Sequence, residues 1–143
     1  MGSRRRAREL ALQMLFENDL SGSAPEDMFS HFQEWHHAAE STREYAKRLV
    51  VGTLSHRAEI DALIARQADN WRLERMPAVD RNILRMALYE IKHEPETPAP
   101  VVIDEALEIA KRFSTPRSSQ FINGILDGVL KAPVLKAPAE ERP

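Results

Sequence analysis

Met76-Pro-Ala-Val-Asp-Arg-Asn-Ile-Leu-Arg-Met-Ala-Leu-Tyr-Glu-Ile91 is the stretch on which the fold turns. Pro77 suits a first helical turn, where a missing N–H would have had no partner. Asp80 places a carboxylate where the helix dipole favours one. At about 100° per residue, Val79, Ile83, Leu84, Met86, Ala87, Leu88 and Ile91 cover an arc of roughly 200°. A surface helix needs only about half that width. This one is therefore expected to meet neighbours on several sides, with Arg81, Asn82 and Arg85 as its remaining wet strip. It reads as the central helix of an all-α fold.

Working outward, Pro95, Pro98 and Pro100 stiffen the connection that follows. A sixth helix then carries Val102, Ala106, Ile109, Ala110 and Phe113. Residues 114–119 read as a short turn, and residues 120–130 as the last helix, with Phe121, Ile122, Ile125, Leu126 and Val129 inward. Gly124 and Gly128 form a smooth strip on it that would admit another backbone. Upstream, Ile60, Leu63, Ile64 and Trp71 make a fourth apolar stripe, restarting near Ser55-His56. Ser41-Thr-Arg-Glu44 is a capping-box pattern opening a third helix with Tyr45, Leu49, Val50 and Leu54 inward. Gly52 within it points to a close helix contact. Ser23 before Pro25 starts a second helix lined by Met28, Phe32, Trp35 and Ala39. The first helix buries Ala7, Leu10, Ala11, Met14 and Leu15 at helical spacing. The count is about seven helices in one domain over residues 1–130, and the proline-bearing residues 131–143 are expected to be a disordered tail.

Composition narrows the functional classes. The chain is 43% hydrophobic, which suffices for a core, and it contains no cysteine, which rules out disulfides and thiolate metal sites. No apolar run approaches the roughly 20 residues of a membrane helix, so a soluble, cytoplasmic protein with no membrane contact is expected. A net charge of −2 predicts no bulk affinity for polyanions, so nucleic-acid binding would need a local patch. His31, His36, His37, His56 and His93 lack ligand spacing, and no phosphate loop follows a strand. Neither metal nor cofactor is expected. Glu90, inside the apolar arc, reads as a carboxylate that pairs with a cation or caps another helix, rather than a general base. Nothing resembles an active site.

Arg4, Arg5, Arg6 and Arg8 are different. They crowd the helix end where the macrodipole disfavours cations, and a local rule broken without visible benefit marks function. Guanidinium groups grip phosphate in pairs of bonds, and 15 of the 20 basic residues are arginine. Gln13, on the Arg6 side, could read a base edge. Lys111, Arg112, Arg117, Ser118 and Ser119 form a second cluster, where the start of the last helix would offer N–H groups to an anion. Leu12 and Phe16 stack opposite the buried stripe, beside Arg5 and Glu9. An N-terminal helix ending in arginines is not expected to be central, so this pair reads as an exposed surface for a homodimer or another partner.

Arg4-Arg-Arg-Ala-Arg-Glu-Leu-Ala-Leu-Gln-Met-Leu-Phe16, Val79-Asp-Arg-Asn-Ile-Leu-Arg-Met-Ala-Leu-Tyr-Glu90, Val102-Ile-Asp-Glu-Ala-Leu-Glu-Ile-Ala-Lys-Arg-Phe-Ser114 and Phe121-Ile-Asn-Gly-Ile-Leu-Asp127 together resemble the bacterial transcription antitermination factor NusB family. The segments occur in family order and span nearly the whole chain. The resemblance implies an all-α fold of two three-helix subdomains and no catalytic activity. It further implies binding to boxA RNA of ribosomal RNA operons, with a small-subunit ribosomal protein, inside an RNA polymerase antitermination complex. Its arginine-rich motif falls on Arg4, Arg5, Arg6 and Arg8, and its second RNA-contacting region on Lys111-Arg112 and the serine-bearing turn. Phe16, Glu74 and Asp80 match positions that face the ribosomal protein. Phe16 stands where tyrosine is common, and Gln120 where a basic residue often precedes Phe121. Two alternatives have different consequences. A helical interaction module would bind no RNA. A relative of the RNA-binding domain of ribosomal RNA cytosine methyltransferases would belong with a catalytic domain that these residues do not contain.

Overall fold

The computed structural model describes residues 2–31, 33–68 and 73–132. Among them are eight α-helices, one 3-10 turn and no strand: α1 (Gly2–Ser21), α2 (Pro25–His31), α3 (Gln33–His37), α4 (Glu40–Ser55), α5 (Arg57–Gln67), the turn at Leu73–Arg75, α6 (Ala78–His93), α7 (Ala99–Phe113) and α8 (Pro116–Lys131). The expected second helix is broken into α2 and α3. Phe32, Trp71 and residues 133–143 lie outside the described residues, and the expected tail with them.

α6 is central. It packs against α1, α4, α5, α7 and α8, which is why its apolar arc had to be wide. Ile83, Leu84, Met86 and Leu88 are almost wholly enclosed. The expected wet strip is not wet: Asn82 and Arg85 are buried, and Arg81 is only partly exposed. Paired charges make this possible. Asp19 on α1 accepts from Arg81 Nε at 2.8 Å, Asn82 Nδ2 at 2.9 Å and Arg85 Nη1 at 3.3 Å. Arg85 also donates to both oxygens of Asp61 on α5, at 2.8 and 3.1 Å. One polar network thus ties α1 and α5 to α6.

Burial pushes the Asp19 carboxyl up, but the hydrogen bonds from Arg81 and Asn82 and the charges of Arg81 and Arg85 hold it below the usual carboxylate range. A folded-state value below the unfolded one of about 3.9 means stability that is present above that pH and lost as pH falls through the folded value. Asp19→Asn is therefore expected to melt below the parent at pH 7, the gap closing as the pH drops under about 4. Melting curves from pH 7 down to 3 measure this. A gap that stays constant would show that the Asp19 charge does not contribute.

Helix ends and contacts refine the rest. α1 ends where Gly22 takes φ 77°, its N–H bonded to Asn18 O at 2.8 Å. At Gly52 a Cβ would stand 2.2 Å from Tyr89 Cζ, so the close approach of α4 to α6 expected there is present. Among the described residues the Gly124–Gly128 strip receives no backbone: Gly124 has no neighbour within reach of a Cβ, and Gly128 meets the Gln67 side chain. Ser41 does not cap α4, whose N-cap is Ala39 with no side-chain bond. The last helix starts earlier than expected, at Pro116, with Thr115 as its cap.

Candidate nucleic-acid interface

The opening turns of α1 carry the four arginines, and the last turn of α7 carries Lys111 and Arg112, where the helix dipole favours cations. Acids join the two helices. Arg5 donates through Nε and Nη2 to the two Glu105 oxygens at 2.9 and 2.8 Å. Arg112 Nη1 donates to Glu9 Oε2 at 2.8 Å, while Arg6 lies 3.9 Å from Glu9 Oε1. Lys111 Nζ is 3.5 Å from Glu108. The two basic clusters, distant in sequence, therefore meet around a cleft of about 240 Å³ lined by Arg5, Glu9, Glu108, Ile109, Lys111 and Arg112. Arg4 lies 3.7 Å above the centre of the Tyr45 ring, a stacking that leaves the guanidinium edge donors for another acceptor.

Three of the expected phosphate contacts are placed otherwise. Arg8 is 4% exposed and donates to Glu90 through Nε at 2.9 Å and Nη2 at 2.6 Å. Tyr45 adds its hydroxyl to Glu90 Oε2 at 2.6 Å. Burial would lower the Arg8 value, but the bonds and charge of Glu90 more than offset it and the guanidinium is held above its ordinary range. Burial and Glu90 also push Tyr45 up to about 12, so it stays a donor. Arg8 thus holds the core together, and the pairing read for Glu90 is present. Ser118 is also committed: its N–H goes to Thr115 Oγ1 at 3.1 Å and its hydroxyl to Asp80 Oδ2 at 2.7 Å. The Ser119 N–H is bonded to Thr115 O, and Pro116 has none, so the start of α8 is largely closed to an anion. Arg117 is exposed and lines another cleft, of about 180 Å³, with Met76, Pro77, Asp80, Ser118 and Phe121.

The expected partner surface is corrected in the same way. Leu12 is 4% exposed and belongs to the core, because α1 packs against both α4 and α6. Asp80 is buried and accepts from Ser114 Oγ and Ser118 Oγ, both at 2.7 Å, so it fastens the α7–α8 turn to α6. Phe16 and Gln13 are half-buried, and Glu74 is exposed. Arg81 links Asp19 of α1 to the carbonyls of Leu73 and Met76, which brings the Phe16 half of α1 and Glu74 toward one end of the molecule.

Sequence reasoning missed Glu105 as the partner of Arg5. The signal was there: Glu105, Glu108 and Arg112 recur at three- and four-residue spacing, on one helix face. It also missed that folding gathers His56, Glu59 and His93.

The model of the NusB family matches residues 5–131. The chain belongs to the NusB family. It is 48% identical to the transcription antitermination protein NusB of Symbiobacterium thermophilum, over 97% of this chain and 96% of that one. It is 50% identical to that of Solibacter usitatus, over 90% and 89%. T. maritima NusB has the same fold, with a TM-score of 0.82 at 38% identity over 90% of each chain. A NusB structure in complex with NusE and double-stranded RNA matches at a TM-score of 0.83 and 28% identity, over 92% of this chain and 98% of that one. Among the described residues, no helix is long and apolar enough to cross a membrane.

Proposed function

We propose that this member of the NusB family is a non-catalytic, cytoplasmic transcription antitermination factor. It binds boxA-type RNA of ribosomal RNA operons together with a small-subunit ribosomal protein, as part of an RNA polymerase antitermination complex. The observation that carries this reading is the basic face on which α1 and α7 converge, in a fold shared with a NusB bound to NusE and RNA. Arg4, Arg5, Arg6, Lys111, Arg112 and Arg117 are the residues for phosphate. Phe16 and Glu74 are those for the protein partner. Arg8, Ser118, Leu12 and Asp80 support these surfaces from beneath.

The face is locally basic in a chain of net charge −2, so its grip on RNA is electrostatic and short-ranged. Replacing Arg5, Arg6 and Arg112 by alanine is expected to weaken boxA-type RNA and to flatten the salt dependence by about 0.7 log units per lost phosphate contact. The fold should survive, because all three lie at the surface. Titrations at several salt concentrations, with and without the ribosomal protein, measure it. An unchanged slope in the triple variant would move the RNA site elsewhere.

A further inference from the structure

α4 ends at Ser55 and α5 begins at Arg57, and the residue at that corner is His56. His56 Nδ1 lies 2.9 Å from the Gly52 carbonyl oxygen, to which it donates, leaving the Nε2 lone pair without a hydrogen-bond partner among the described residues. His93 closes α6, and its ring centre is 3.9 Å from that of His56. Glu59, in the first turn of α5, brings Oε2 to 3.8 Å from His93 Nε2. One ligand atom from each of the three lies within 4.8 Å of the others. His93 Nε2 is itself buried and has no hydrogen-bond partner among the described residues. Tyr89 stacks on the same ring at 5.3 Å, with its own hydroxyl fixed to Glu94, so the imidazole is held in place.

We propose that His56, Glu59 and His93 bind a divalent transition-metal ion of the zinc class. Two imidazoles and one carboxylate are borderline ligands that select zinc, cobalt or nickel over magnesium and calcium. Three protein ligands leave the fourth position to water. A backbone carbonyl on the far nitrogen of His56 is the usual support of a metal-bound histidine. Bonds of about 2.0–2.1 Å require the three side chains to close in by roughly 1 Å. Lys92 Nζ pairs with this same Glu59 Oε2, so the ion competes with an ammonium for the oxygen. The ion would pin the α4–α5 corner to the end of α6.

The test is titration of zinc, and of cobalt as a visible probe, into the purified chain. The expected result is one ion per chain, a cobalt ligand-field band and a raised melting temperature. His93→Gln should weaken binding more than about 10-fold, since even supporting contacts are worth that much. His36→Gln with His37→Gln should leave binding intact. Lys92→Met, which removes a competing cation, should tighten it, and this variant keeps the result readable if His56→Gln or His93→Gln fails to fold. The proposal is overturned if the parent chain binds no zinc, if binding follows His36 and His37, or if Lys92→Met weakens it.

Discussion

Arg8→Ala is expected to destabilise the chain by about 3–5 kcal/mol, the usual result of removing one partner of a buried ion pair. The guanidinium and the Glu90 carboxylate face each other through two bonds of 2.9 and 2.6 Å, with Arg8 4% and Glu90 1% exposed. Without Arg8 the carboxylate keeps, among the described residues, only the Tyr45 hydroxyl. Most of the loss is the cost of that stranded charge, not the worth of the pair, so replacing both partners should recover much of it. Arg8→Met with Glu90→Leu is the informative combination. Denaturant unfolding should place it well above Arg8→Ala, and its affinity for boxA-type RNA should stay close to that of the parent. A single variant of parental stability would mean that Arg8 is a surface residue, as its place in the arginine run suggested.

That place explains what the sequence could show. The width of the apolar arc on α6 is a local property, so the central helix was readable from sixteen residues. That Glu90 needed a partner, either a cation or a helix end, was equally plain, because a carboxylate inside an apolar arc cannot stay unpaired. Which partner was not, since Arg8 lies 82 positions away. Asn82 and Arg85 read as wet for a related reason. Residue type sets the expected exposure, but Asp19 and Asp61, from two other helices, supply the charge that lets them be buried. Histidine spacing failed likewise, because His56 and His93 meet only once α6 folds back along α5. The four arginines looked like one unit in the sequence. Helical geometry divides them, turning Arg8 inward to Glu90 and leaving Arg4, Arg5 and Arg6 at or near the surface.

Leu12→Ala is expected to cost about 2–5 kcal/mol, the range for truncating a buried leucine and leaving part of its volume empty. The sequence pointed the other way, since Leu12 lies opposite the Ala7, Leu10, Ala11 and Met14 stripe and one surface helix cannot bury both sides. The structure removes the premise. α1 packs against both α4 and α6, so an N-terminal helix joins the bundle interior and both stripes belong to one core. Phe16, one turn on and only half-buried, should lose less stability than a fully enclosed phenylalanine would, and its truncation should instead show in binding of the ribosomal protein. The two variants therefore separate the roles that spacing had merged. Unfolding curves and partner titrations on both measure it. A loss below about 1 kcal/mol for Leu12→Ala, with weakened partner binding, would return that residue to the surface.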